Sequence, residues 1–432
     1  MKVLVYARGA VGKNMGSTGV RAYHTARVLA EQLPEASVTL AVPNEPDIPS
    51  PHPRLRMVRY RNPLHGLYEM LRHDVIISRN FSPLALVVFF RKRLALDFYS
   101  ALLVEWLAFA MRIRRPGRRL LWATANRYYV EYQLTLADYV ICSNERQRDI
   151  WVGSLSTLGL ITPQVYDEDR SLEGFVGVVP YGVQAGRPEP GCRVLKGVVP
   201  GIRETDKVLI WNGSIMEWFD ANTVIRAMAE VAKVRDDVKL FFLGTEHPDY
   251  VTGMLFGPPQ DALQLSQELG LYERSVFFNV GWVPYHEIGA YLAESHIGVC
   301  AASDTLEARY AFRTRYVDLF WAELPIVCTR GDVLAERIES EPLGVAVAAG
   351  DVRAFADGIL KLLEDEDYYE RCRRNMAAVK EELSWERVLQ PLVDFCRSSE
   401  SHAASKRQRF LPLMWRTAKY LVTYGWQRMG KD

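Results

Sequence analysis

The sequence predicts an α/β protein of two doubly wound parallel-sheet domains facing a cleft. Three observations carry this. The chain has 432 residues, 49% of them hydrophobic, which is too long for one ordinary domain and enough to bury a core in each half. Short β-branched runs alternate with segments of helical period over most of the length, the pattern of a parallel sheet with helices on both faces. Between 184 and 204 the alternation stops at Gly186, Pro188, Pro190, Gly191, Pro200 and Gly201, a Pro/Gly density that marks a linker. The expected parts are a first domain at 1–190, a second at 205–385, and a helical segment at 386–432 that packs back on the first.

In the first half, strands are expected near 3–6, 38–42, 55–60, 75–78, 94–97, 120–123, 139–143 and 178–180. A helix over 20–31 carries Ala22, Ala26, Val28 and Leu29 at turn spacing. The second series places strands at 208–211, 238–243, 276–280, 297–301, 326–329 and 345–348, followed by the turn residues Gly213, Gly244, Gly281, Ser303, Gly331 and Gly350. Its first helix, 221–233, is capped by Asp220 or Asn222 and buries Val224, Ile225, Met228 and Val231. In such sheets ligands bind beyond the carboxyl ends of strands, so the chemistry is expected in the loops that follow them.

Composition excludes several classes. Lys+Arg is 53 and Asp+Glu is 52, so no overall field favours nucleic acid. The six cysteines are scattered without a CxxC pair, which speaks against a zinc site and fits a reducing cytoplasm. No uncharged run reaches the length of a membrane span, and the apolar N-terminus reads as a strand rather than a leader. Asp365-Glu366-Asp367 reads as an exposed helix junction, and no Asp-x-Asp follows a strand, so no metal is expected.

The densest chemistry lies in 303–325. Arg309, Arg313 and Arg315 place three arginines in seven residues near a strand end, where guanidinium groups pair with diphosphate oxygens and a helix N-terminus adds free N–H groups. Asp318, one turn beyond Thr314 and Arg315, is placed to accept ribose hydroxyls. The competing reading is a solvated amphipathic helix with its charges outward.

This segment resembles the donor-binding helix of retaining glycosyltransferases with two Rossmann-like domains, the GT-B fold, and is family-4-like. Phe312-Arg313-Thr314-Arg315 resembles a bacterial subgroup of that family. Ala322-Glu323-Leu324-Pro325 stands where the family has small residues and Gly-Leu-Pro, which puts Asp318 at the family's second, ribose-contacting Glu. Tyr310 occupies the first-Glu position, and Glu307 is the nearest carboxylate. The resemblance also implies a phosphate-facing turn at Gly213, Ser214 and Trp218. It lacks the Arg and Lys that many members place there, which leaves Arg313 and Arg315 to neutralise the phosphates. The turn at Val283 and Pro284 would read the base edge, with a plain loop as the alternative.

In the first half, Gly16, Ser17, Thr18, Gly19 and Arg21 open a helix and resemble the family's glycine loop facing phosphate and acceptor, with surface solvation of Arg21 as the alternative. Only two glycines match a dinucleotide fingerprint and the second strand ends in Pro43 rather than an acid, which disfavours a dehydrogenase. Asp97 ends a strand and is a catalytic candidate with Glu307 and Arg313, or a structural carboxylate. His24 reads as a packed helical residue. Arg91-Lys92-Arg93, the stretch from Arg112 to Arg119, and the aromatic and basic stretch 410–426 either contact an anionic membrane or, for the last, pack on the first domain.

The resemblance implies metal-independent, cofactor-free transfer of a sugar from a nucleotide-sugar to a hydroxyl of a glycan or lipid-linked acceptor, with retention, in the cytoplasm or at the inner face of the membrane. The alternatives are a nucleotide-sugar epimerase on the same fold and a non-catalytic scaffold.

Overall fold

The computed structural model describes residues 1–111, 113–189, 191–245, 258–398 and 403–429. Arg112 of the basic stretch and Pro190 of the linker lie outside the described residues. The chain forms two compact units, one of Met1–Gly12, Ser17–Tyr181 and Trp385–Asp432, the other of Lys13–Gly16 and Gly182–Ser384.

The first unit holds strands β1 (Lys2–Tyr6), β2 (Ser37–Val42), β3 (Leu55–Arg59), β4 (Val75–Ser78), β5 (Arg93–Asp97), β6 (Tyr139–Cys142) and β7 (Val176–Val178). They pair in the order β3-β2-β1-β4-β5-β6-β7, every pair parallel. The second unit holds β8 (Lys207–Trp211), β9 (Val238–Phe242), β10 (Val276–Phe278), β11 (Ile297–Cys300), β12 (Ile326–Thr329) and β13 (Gly344–Val347). Their order is β10-β9-β8-β11-β12-β13, again all parallel. Central strands such as Val75–Ser78 and Ile326–Thr329 are buried at every residue, as helices on both faces require.

In each sheet the strand order reverses once, between β1 and β4 and between β8 and β11. Loops leaving the two strands at a reversal diverge, and the crevice between them is where such sheets bind ligands. In the second unit this brings the Gly213 turn, after β8, beside the arginine-rich segment, after β11.

Two expected strands differ. Residues 120–123 lie inside the helix Pro116–Leu136. A short apolar run fits either element, and Pro116 in the first helical turn starts the helix. The last strand of the first unit is Val176–Val178 rather than 178–180; Pro180 has no N–H for a ladder, and the Val179 and Pro180 carbonyls accept from Arg21 instead.

The helices Trp385–Val388, Gln390–Arg397 and Lys406–Met429 belong to the first unit. The C-terminal helix Lys406–Met429 packs along Pro116–Leu136. Leu413 is buried there, and the Tyr420 ring lies 6.0 Å from Tyr132, stacked, and 5.4 Å from Tyr129. Asp138, at the start of β6 and fully buried, pairs with Arg409 and with Lys406 at 2.8 Å and accepts the Leu94 N–H at 3.0 Å. Arg409 also donates to the carbonyls of Thr135, Ala137 and Ala404. The buried carboxylate is thus matched by two cations and a backbone donor, and the helix is fixed to the start of β6.

Candidate functional site

The second unit's reversal point is built from two turns. After β8, Asn212 is buried and Gly213 takes φ +89°, a left-handed conformation that glycine adopts without Cβ strain. This turns the chain so that the Asn212 Nδ2 donates to the Arg315 carbonyl at 3.1 Å and to Asp318 at 3.2 Å. The Ser214 carbonyl in turn accepts from Arg315 Nη2 at 2.8 Å. After β11, Thr305 caps the helix Leu306–Tyr310 by accepting the Ala308 N–H. The chain then extends to Arg313, at the N-cap of Thr314–Trp321, whose first turn receives no side-chain cap.

Arg313 and Arg315 are 5% and 8% exposed, so these two charges point inward, against the solvated-helix reading. The two guanidinium groups have different surroundings. Arg313 forks onto Glu307 with bonds of 2.9 and 2.7 Å, and its Nε lies 3.9 Å from Asp332. Asp332 also caps Val333–Ser340, accepting the N–H groups of Leu334 and Ala335. Arg315 lies over the rings of Phe219 and Trp211, 3.6 and 4.7 Å from their centroids. Among the described residues, its Nη1 and the Asn212 Oδ1 are buried without a hydrogen-bond partner.

Protonation follows this division. Burial weakens the Arg313 charge, but Glu307 and Asp332 outweigh it and hold its pKa above the usual value. Burial, and then repulsion from Arg313, lower that of Arg315. Burial pushes Asp318 up to about 7 against the Asn212 hydrogen bond and Arg315. The Asp318 residue keeps part of its surface accessible although its carboxyl is enclosed. Asp332 is pushed up to about 6 by burial, against Arg313 and its two backbone donors. The crevice therefore holds one cation neutralised by carboxylates and a second whose positive charge is less fully matched.

The three expected catalytic residues are each engaged in an ion pair. Glu307 and Arg313 engage each other, so neither terminal nitrogen of Arg313 is free of the Glu307 fork, while Arg313 Nε and Arg315 Nη1 are buried without a hydrogen-bond partner among the described residues. In the first unit, Asp97 pairs with Arg21 through bonds of 2.7 and 3.0 Å. Arg21 is 2% exposed and is neither a solvated residue nor an open anion site. It ties the helix Ser17–Gln32 to β5 and to the chain leaving β7. Gly16 groups with the second unit, while Ser17, Thr18 and Gly19 form the first turn of that helix. His24 is buried against Trp385, their rings stacked at 4.9 Å, and burial pushes its pKa down to about 3.

Other expected residues scatter. Arg309 is exposed and lies 6.0 Å over the Tyr310 ring, outside the buried cluster. Thr314 opens its helix beside Arg315. The Trp218 carbonyl accepts the Ser303 N–H at 3.2 Å, joining the two turns. Val283 is buried and Pro284 precedes the turn Tyr285–Glu287, following the edge strand β10. Glu323, in the place of the family's glycine, has φ +54°. Its carboxylate holds Arg187 Nε at 2.7 Å and Lys380 at 3.0 Å, contacts that offset the left-handed backbone. Asn212, Phe219 and Asp332 were not among the expected site residues. A carboxylate just past the Gly331 turn was the one readable sign of Asp332.

Residues 206–365 match the family model for glycosyl transferases group 1. A comparison with curated proteins found no match. Among solved structures, sucrose-phosphate synthase from Thermosynechococcus elongatus aligns over 92% of this chain and 98% of its own, at 15% identity and a TM-score of 0.64. WaaG, a glycosyltransferase involved in lipopolysaccharide biosynthesis, aligns over 92% of this chain and 100% of its own, at 13% and 0.60. HepE of Anabaena, in complex with UDP, aligns over 92% and 100%, at 14% and 0.55. The chain shares the two-domain GT-B fold with such proteins, and the span that matches the group 1 family model lies in its second unit.

Two variants read the site's electrostatics. Arg313→Ala leaves Glu307 and Asp332 buried without their cation and is expected to destabilise the protein by about 3–5 kcal/mol in urea denaturation; an unchanged midpoint would show that the clamp contributes nothing. Asp318 is raised in the fold, so its contribution to stability is full below the unfolded carboxylate pKa and is lost as pH rises through about 7. Asp318→Asn removes that titration. The variant's melting temperature relative to wild type should be higher at pH 8 than at pH 5, and a difference independent of pH would contradict the shift.

Proposed function

We propose that the chain moves a sugar from a nucleotide-diphosphate donor to a hydroxyl of a glycan or lipid-linked acceptor, with retention at the anomeric carbon and without a metal ion or other cofactor. The observation that carries this reading is Arg315: a buried cation with an unpartnered Nη1, beside an uncapped helix N-terminus, at the strand-order reversal inside the group 1 domain.

Sugar transfer breaks the bond between the anomeric carbon and the diphosphate oxygen, and the electron pair leaves with the diphosphate. A fixed cation and oriented N–H groups stabilise that charge as it develops, more strongly in a site shielded from water. Arg315 and the first turn of Thr314–Trp321 supply both, which removes the need for a metal. Asp318 and the Asn212 Oδ1 are the polar groups offered to the ribose, and the turn at Val283 and Pro284 is offered to the base. That turn follows β10, two strands from β8, about 10 Å at the usual spacing and of the order of the distance from base to diphosphate. Arg313 and Glu307 act through position. The acceptor class rests on the likeness to WaaG, and a cytoplasmic setting is supported by six cysteines that form no disulfide.

The test is a thermal-shift panel of UDP, GDP, dTDP and ADP, followed by proton NMR of the anomeric signal when the matching nucleotide-sugar is turned over in excess EDTA. One base should raise the melting temperature, and the first product should keep the donor's anomeric configuration. Inversion, or loss of turnover in EDTA that a divalent metal restores, would contradict the reading.

A further inference from the structure

The C-terminal helix Lys406–Met429 is amphipathic the wrong way round for a surface helix. At 3.6 residues per turn, Leu411, Trp415, Ala418, Val422 and Trp426 fall within an arc of about 80°. Their face is open: Leu411 is 76% exposed, Trp415 64%, Val422 53% and Trp426 58%. The opposite face, packed on the protein, carries Arg409, Arg416, Thr417 and Thr423 beside Leu413 and Tyr420. Those polar groups are satisfied internally: Arg416 donates to the Thr135 hydroxyl and the Leu158 carbonyl, and Thr417 and Thr423 donate to carbonyls of their own helix. A helix on a water-facing surface places its apolar stripe inward. Here the apolar stripe faces out, and Phe90, itself exposed, extends it by packing its ring 5.1 Å from Phe410.

Charge identifies what fits this face. The helix contains no Asp or Glu. Arg409 meets Ala137 and Tyr420 meets Tyr129, so the helix runs antiparallel to Pro116–Leu136 and its far end leads toward that helix's basic start. Arg114, Arg115 and Arg119 are exposed there. At the near end, Lys406 donates to the Phe89 carbonyl, and Arg91, exposed, follows two residues later. Lys419 lies 4.8 Å over the Trp415 ring, its charge at the border of the apolar stripe. An apolar, tryptophan-bearing strip between two basic ends matches an anionic bilayer surface, with the rings at the headgroup level and the cations on the phosphates. A second copy of this chain would bring like charges together.

We propose that this helix docks the first unit on the surface of an anionic membrane, lying in the interface plane. It does not span it: no described helix is long and apolar enough to cross a bilayer.

The test is flotation of the full chain with vesicles of phosphatidylcholine alone or mixed with phosphatidylglycerol, compared with the triple variant Leu411→Ser, Trp415→Ser, Trp426→Ser. These side chains are exposed, and circular dichroism checks that the fold survives. The wild type should float with the mixed vesicles, weakly with the neutral ones, and less at high salt. The triple variant should lower the bound-to-free ratio by at least about tenfold. A second variant, Arg114→Glu with Arg115→Glu and Arg119→Glu, should remove the preference for anionic lipid. Failure of the wild type to float, or equal flotation of the triple variant, would overturn the proposal. So would a wild-type dimer that the triple variant converts to monomer without vesicle binding, since the face would then be an interface between copies.

Discussion

Arg313 is held between Glu307 and Asp332, and most of the site depends on that clamp. Glu307 comes from the short helix after β11, Arg313 from the start of the helix that follows it, and Asp332 from the turn after β12. One buried cation thereby joins three consecutive segments. Charges of this kind are costly to bury singly and tolerable together. With Arg313 fixed, Thr314 and Arg315 must follow at the helix start, and Arg315 is carried over the rings of Phe219 and Trp211. The neighbouring arginine is therefore presented by the first.

Topology decides where this matters. The second sheet reverses its strand order between β8 and β11, and the clamp closes the β11 side of that opening. The Gly213 turn closes the β8 side, joined across it by the Asn212 bonds to Arg315 and Asp318. The first unit uses the same kind of ion pair for another purpose: Arg21 and Asp97 join a helix to a strand end and leave no open cation. Two buried Arg–carboxylate pairs thus have different consequences, because only one has a second arginine two residues away.

Much of the secondary structure could be read from the sequence, since buried parallel strands such as Val75–Ser78 and Ile326–Thr329 are near-continuous apolar runs bounded by turn residues. The 120–123 run could not, because four apolar residues fit a helix as well as a strand, and the helix they belong to packs along a C-terminal helix nearly 300 residues later in the chain. The arginine segment was recognisable by its density of charge after a strand. Which arginine pairs with carboxylates was not, because Arg313 and Arg315 are the same residue type two positions apart and only their partners distinguish them. Arg21 and Asp97 are 76 residues apart, a pairing no local pattern shows. Glu323 illustrates the converse: the sequence marked it as standing in a glycine's place, and its left-handed backbone gives the physical reason that place favours glycine.

Under the proposed function Arg315, and not Arg313, meets the donor's diphosphate. Calorimetric titration of the full chain with the nucleoside diphosphate it prefers, before and after Arg315→Met, tests this most directly. The substitution removes a buried cation that lacks a dedicated carboxylate, so the fold should hold. The affinity is expected to fall at least about tenfold, the scale of a charge-assisted contact of about 1.5–3 kcal/mol, with the unfolding midpoint preserved. Binding within twofold of wild type in a folded Arg315→Met protein would contradict the account.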